Sequence, residues 1–315
     1  MNFLRFLEGL RTPFLNVIFS IITLLGEETV FILAGLVFFW CYDKRRGYYI
    51  LSVGFLGTLT NQFLKLLFRI PRPELRLEGF TIVESAREAA TGYSFPSGHT
   101  QSAVGVFGGI ARIFRPLWVR VACIAVCLLV PFSRMYLGVH TPLDVVVSMA
   151  IGTLLVFLLY PLVEKATRSR RGMHIFFGVM VGLSVAYLLY VLLFPFPADI
   201  DVKNYESGVK NAYKILGCVL GLFLAYEIDD RYLDFKTEGS LLTQILKLLI
   251  GLIPLLAIKE GLRLPLDWIF CGSKVADGVR YFLLTAFAGA VWPMTFPWFC
   301  RLAEQITARK KKKEE

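Results

Sequence analysis

The chain is expected to be all-α: a polytopic membrane helical bundle of about nine spans with an N-terminal interfacial or re-entrant helix. Three observations predict this. Hydrophobic residues make up 56% of the 315 and charged residues 18%, more apolar surface than one soluble core of this length can bury. The apolar residues recur in stretches close to the ~20 residues that a helix needs to cross a hydrocarbon layer, and charged clusters separate them. None of these stretches has the short apolar–polar alternation of barrel strands, so helices are the remaining way to satisfy the backbone in lipid.

Taken in order, residues 2–25 alternate apolar and polar at helical spacing, are interrupted by Pro13 and stop at Gly26-Glu27-Glu28, the pattern of an interfacial or re-entrant helix. Arg5, Glu8 and Arg11 break any continuous apolar run there, unlike a removable signal peptide. Spans follow at 27–42, 47–69, 98–114, 117–137, 142–163, 174–194, 208–227, 240–260 and 279–300. The organisation is thus an interfacial helix (1–25), a membrane core (26–195), and additional transmembrane helices with a basic tail (196–315).

Positive charge sets the expected orientation. Lys44-Arg45-Arg46, Arg112 with Arg115, Lys165 to Arg171, Arg231 to Lys236, and the tail from Arg309 through Lys313 occupy alternate connections. Placing all five on the cytoplasmic side of the plasma (cell) membrane satisfies the positive-inside rule. Residues 70–97 and 138–141 then share the non-cytoplasmic face. The first of these carries Glu74, Arg76, Glu78, Glu84, Arg87 and Glu88, is too polar to cross, and is expected to cap that face.

Several function classes are excluded. The net charge of +10 lies in short connections rather than one stripe, so no nucleic-acid partner is expected. The six cysteines give neither a disulfide framework nor metal-ligand spacing, and Cys123 with Cys127 reads as packing. His174 follows Arg170-Arg171 on the cytoplasmic side with no partner constellation and reads as interfacial. Glu227, Asp229, Asp230 and Asp234 read as a solvated inner loop rather than a cation site.

Chemistry concentrates in three segments on the opposite face. Lys65 ends the second span and Arg72 begins the connection after it, so a planar fork and a compact charge can share one divalent anion. In YSFPSGHT, Ser97 and Gly98 precede an apolar helix, offering free N–H groups and a hydroxyl at a helix start, with His99 beside them as a proton donor; Ser97 is equally an ordinary N-cap. In SRMYLGVHTPLD, Arg134 ends a span and His140 precedes a helix begun by Pro142. Asp144, four residues on, can hold one ring nitrogen of His140 and leave the other free to attack phosphorus, while Thr141 with Asp144 also fits a helix-capping box.

In order and spacing, KLLFRIPRP, PSGH and SRMYLGVHTPLD resemble the three signature motifs of the type 2 phosphatidic acid phosphatase superfamily of integral membrane phosphatases, with every signature position filled. The resemblance covers roughly residues 60–160. It implies a mechanism needing no metal and no cofactor. His140 would be the nucleophile, forming a phosphohistidine and oriented by Asp144. His99 would protonate the leaving alkoxide and then activate water. Lys65, Arg72 and Arg134, with Ser97 and the backbone of Gly98, would bind the phosphoryl oxygens. The implied substrate is a lipid phosphate monoester or diphosphate (phosphatidate, a sphingoid-base phosphate or a polyprenyl diphosphate), with membrane lipids as the other partners. The helices after residue 195 depart from the smaller bacterial members and are similar in plan to sphingosine-phosphate phosphatases and glucose-6-phosphatases. Two alternatives stand beside hydrolysis. One is lipid-to-lipid phosphotransfer at the same site. The other is a non-enzymatic phospholipid or anion transporter, which would need broken helices or facing intramembrane charges that the sequence does not display.

Overall fold

A computed structural model describes residues 2–87, 90 and 92–314, with side chains as far as residue 306. Glu88 and the side chains of the basic tail lie outside these. Among the described residues there are helices and no strands. Helix α1 (Asn2–Gly9) meets α2 (Pro13–Leu24) at a bend of 119°, where Thr12 caps α2 and Pro13 opens it, so the expected N-terminal helix is two. Helix α3 (Glu28–Val37) runs into a π-helical turn at Phe38–Tyr42. Helix α4 (Lys44–Phe68) starts where Asp43 accepts from the Arg46 N–H at 3.0 Å and stops at left-handed Arg69. The polar connection holds the short α5 (Pro73–Arg76). Helix α6 (Gly98–Ala103) passes through a π turn into α7 (Gly109–Ile113). Then come α8 (Leu117–Tyr136), α9 (Pro142–Ala166), α10 (Arg170–Leu193), α11 (Val202–Ile228), α12 (Leu241–Leu256), α13 (Arg263–Ile269), α14 (Val275–Ala286) and α15 (Phe296–Glu314). Thr141, Ser169, Asp201 and Ser240 each cap the helix that follows by accepting a first-turn N–H, which fixes where α9 to α12 begin.

Among the described residues seven helices are long and apolar enough to cross a membrane, eight if the bent α1–α2 pair is one span, and the seven coincide with seven of the expected spans. The other two, 27–42 and 98–114, fall on shorter helices. Their ends are marked by two contacts. Gly26 lies against the His99 backbone at the end where α4 and α8 finish, while Tyr42 packs on Phe114 at the end where those helices start.

That second end is a charged girdle. Lys44 pairs with Asp229 (2.7 Å), Arg46 with Glu164 (3.8 Å), Arg170 with Asp230 (3.3 Å) and Arg231 with Glu227 (2.6 Å), and Arg112 sits over the Tyr160 ring. Two expectations are corrected here. His174 does have a partner, bonding Glu227. Glu227, Asp229 and Asp230 stand on α11 and its π-helical continuation, each holding a cation, rather than in a solvated loop. The reason is antiparallel packing, which brings the basic start of α10 against the acidic end of α11.

One aromatic core joins the first half of the chain to the last. Trp40 donates to the Ala288 carbonyl at 2.8 Å and Trp292 to the Lys247 carbonyl at 3.1 Å. Helices α11 and α14 meet backbone to backbone, since a Cβ built on Gly217 would stand 2.1 Å from the Gly278 oxygen. All six cysteines are unpaired.

Candidate active site

The three chemistry-bearing segments meet at the end of the bundle opposite the girdle. Lys65, Arg72, Gly98, His99, Arg134 and His140 line one cavity of about 170 Å³. Each arrives by a local route. Lys65 lies one turn before the end of α4, Arg72 is the residue before α5, and Arg134 is in the last turn of α8. After α8 the chain turns at Gly138 with φ +85°, the left-handed conformation a glycine accepts without cost, and presents His140 before α9.

The cations are buried and held. Lys65 is 5% and Arg134 0% exposed. The Lys65 ammonium donates to the Tyr93 carbonyl. Arg72 donates to the Gly92 and Val139 carbonyls, each at 3.1 Å. Arg134 donates through Nη1 to Thr23 Oγ1 at 2.9 Å, and its Nε and Nη2 have no protein partner among the described residues. Burying charge without compensation is costly. Three cations facing one buried carboxylate, Asp144, therefore make a cavity whose field favours a multiply charged anion.

His140 is 2% exposed, with Nδ1 3.5 Å from Asp144 Oδ2. That spacing is a charge contact rather than a well-formed hydrogen bond, because the same oxygen already accepts from Ser94 Oγ (2.6 Å) and the Thr141 N–H (2.7 Å). Both sequence readings of Asp144 coexist: it closes the capping box with Thr141 and faces the His140 ring. A carboxylate on the Nδ1 side favours the Nδ1–H tautomer and leaves a lone pair on Nε2. Burial pushes the His140 imidazole well below its ordinary pKa. The Asp144 carboxylate opposes this, while Arg72, Arg134 and Lys65 add to it. His99 Nε2 has no protein partner among the described residues.

Ser97 and Asp144 stand behind the cavity wall rather than on it. Ser97 caps α6, accepting from the Thr100 N–H at 3.4 Å, and its own N–H donates to the Asp144 carbonyl at 3.2 Å, locking the second motif to the third. The sequence reading missed the supporting groups: Thr23 on α2, Ser94 and the Tyr93 carbonyl in the polar connection, and Asn61, which bonds the Pro96 carbonyl at 3.3 Å. Only Asn61 had a sequence signal, lying one helical turn before Lys65. The polar connection does cap the site, and α1 pins it there. Arg11 donates to the Thr81 carbonyl (2.8 Å), and Glu8 accepts from Thr81.

The chain is similar to known proteins over both of its halves. Residues 46–168 match the model of the PAP2 superfamily, and residues 213–305 match that of the PAP2 superfamily phosphatase transmembrane extension. The chain is 30% identical over 118 residues to an undecaprenyl-diphosphatase of Bacillus subtilis, covering 38% of this chain and 58% of the relative. It is 30% identical over 158 residues to a probable sphingosine-1-phosphate phosphatase of Dictyostelium discoideum, covering 46% and 38%. It is also 30% identical over 177 residues to phosphatidylglycerophosphatase B of Bacillus subtilis, covering 51% and 82%. The chain thus spans less than two thirds of the first two relatives and most of the third. Three motifs closing on one cationic cavity, and family matches on both halves, lead to one assignment: the chain belongs to the PAP2 superfamily, with residues 213–305 as its transmembrane extension.

Proposed function

We propose that this chain is a membrane-embedded phosphatase that hydrolyses a lipid phosphate monoester or diphosphate through a phosphohistidine. The observation that carries the reading is the convergence of Lys65, Arg72, Arg134, His99 and His140 on one cavity. In the first step His140 Nε2 attacks phosphorus, a P–N bond forms and the P–O bond to the leaving group breaks, the ester bond of a monoester or the anhydride bond of a diphosphate. His99 gives its proton to the departing oxygen, releasing the lipid alcohol from a monoester or the lipid monophosphate from a diphosphate. In the second step His99 takes a proton from water, the hydroxide attacks phosphorus, and the P–N bond breaks to free phosphate and His140. Lys65, Arg72 and Arg134 neutralise the phosphoryl oxygens as charge spreads over them, with Gly98 lining the same cavity and Ser97 supporting it from behind as the cap of α6. Unaided monoester hydrolysis is slow enough that accelerations reach ~10²¹, which demands several cooperating charges.

The two short helices, α3 with its π turn and α6 with α7, complete nine crossings in this reading. The charged girdle faces the cytoplasm and the site the other side of the cell membrane. The relatives' names refer to undecaprenyl diphosphate, sphingosine 1-phosphate and phosphatidylglycerophosphate, and the substrate class proposed here spans the same chemistry.

The test is purified protein in detergent with a chelator present, assayed against phosphatidate, sphingosine phosphate and a polyprenyl diphosphate in ¹⁸O-water. Hydrolysis places one solvent oxygen in the released phosphate. His140→Ala should lower the rate by about four orders of magnitude or more. Lys274→Ala, at the surface beside Glu206, should retain it. A rate that vanishes with the chelator, or phosphate found on a second lipid instead of in water, overturns the reading.

A further inference from the structure

A second cavity, of about 190 Å³, lies between the membrane core and the transmembrane extension. Its walls are largely apolar: Phe55 of α4, Cys218 and Leu222 of α11, Leu252 of α12 and Leu284 of α14. Glu28, Phe31 and Thr58 line this cavity and the phosphate-site cavity alike, so the two adjoin at a shared wall. Of the polar side chains on its wall, Glu28 and Thr58 stand at that junction, and Lys214 reaches Glu28 there. Lys214 Nζ of α11 lies 3.5 Å from both carboxylate oxygens of Glu28 and 4.6 Å from the centre of the Tyr281 ring. From the first cavity to the second, the lining passes from buried cations, through a collar of Thr58, Glu28 and Lys214, to a wall that is mostly apolar, with Asn211, Lys259 and Thr285 among its other polar side chains.

That order is the chemical order of a lipid phosphate: phosphoryl group, polar linker, alkyl chain. We propose that the extension supplies the binding pocket for the hydrocarbon chain of the substrate, with Glu28, Thr58 and Lys214 against the linker, so that residues 213–305 set chain preference. The proposal rests on the phosphatase reading above. The pocket selects by shape. A chain leaving a bilayer or micelle for this cavity exchanges one apolar surrounding for another, so removing a wall methyl changes little, whereas filling the space excludes the chain. The Glu28 carboxylate is 58% exposed and its pairing with Lys214 is long, the kind of ion pair that opens at small cost as the linker enters.

The experiment compares dipalmitoyl with dibutyryl phosphatidate in wild type, Cys218→Trp and Leu284→Trp. Either tryptophan should lower the ratio of kcat/KM for the long chain to that for the short chain by about tenfold or more, mostly through KM. An unchanged ratio in both variants overturns the proposal. Folding of the variants is bypassed by a second measurement on the full chain carrying only His140→Ala. A phosphatidate with a diazirine at its chain terminus should label peptides of α11, α12 or α14, and inorganic phosphate should compete. Label confined to α8 and α9 overturns it. Labelled extension helices in a protein that hydrolyses no lipid phosphate would leave the chain pocket standing and remove the phosphatase, so the two failures are distinguishable.

Discussion

In the proposed mechanism His140 attacks as a neutral imidazole, and its burial beside Arg72, Arg134 and Lys65 favours that state. Its pKa lies below the ordinary value of about 6.5. The attacking lone pair is present above the folded-state pKa and is lost as pH falls through it. The acid limb of kcat/KM assigned to His140 should therefore lie below about 6.5. Arg134→Met removes one of the cations that depress it, so in the residual activity the limb should move toward neutrality. Comparing both proteins on one substrate cancels the titration of the phosphate itself, and a limb that stays still would assign it to another group. Thr23 is the second test at this scale. Its hydroxyl accepts from Arg134 Nη1 at 2.9 Å, and hydrogen bonds to charged groups contribute about 1.5–3 kcal/mol. Thr23→Val should raise KM by about tenfold with a smaller change in kcat, and Thr23→Ser should restore it. Equal losses in Val and Ser variants would indicate packing instead.

At the scale of elements, the sequence legible in advance and the sequence left unread differ for a physical reason. The gathering of cations and imidazoles at helix ends is readable because it follows from charge and local spacing, as is the capping box that Thr141 and Asp144 form. Thr23, Ser94 and the Tyr93 carbonyl are not readable, because they act only once α2 and the polar connection have folded over the site. The acidic end of α11 misleads for the same cause, its ion pairs being made by α4 and α10. Gly217 and Gly221 are an intermediate case. Their four-residue spacing is the small-residue pattern of close helix contact, yet the partner α14 is invisible in sequence. A Cβ at Gly217 would meet the Gly278 carbonyl, and one at Gly221 the Phe282 carbonyl at 2.6 Å. Gly217→Ala should therefore destabilise the protein by about 1–3 kcal/mol. Gly178 in α10 has open space around it, so Gly178→Ala should be neutral or stabilising by up to about 1 kcal/mol. Thermal unfolding in detergent measures both, and equal melting temperatures would deny that α11 and α14 pack through these glycines.

The whole molecule has two chemically different ends. Lys44, Arg46, Arg112, Arg170 and Arg231 gather at one, tied to Glu164, Glu227, Asp229 and Asp230 or stacked on Tyr160, and the phosphate cavity opens the other. The proposed orientation, girdle to the cytoplasm, rests on the positive-inside rule and makes no reference to chemistry. Cys271 turns this into a measurement. It is exposed, between α13 and α14, and neighbouring Lys274 approaches Glu206 near the start of α11, at the site end. The other five cysteines are buried or half-buried. In intact cells a membrane-impermeant maleimide should label the wild-type chain, and Cys271→Ser should abolish that label. Tyr232→Cys, at the exposed girdle end, should be labelled beyond the Cys271→Ser background only after permeabilisation. Labelling of Tyr232→Cys in intact cells, with Cys271 protected, would invert the protein in the membrane. The phosphate cavity would then draw its substrate from the cytoplasmic leaflet.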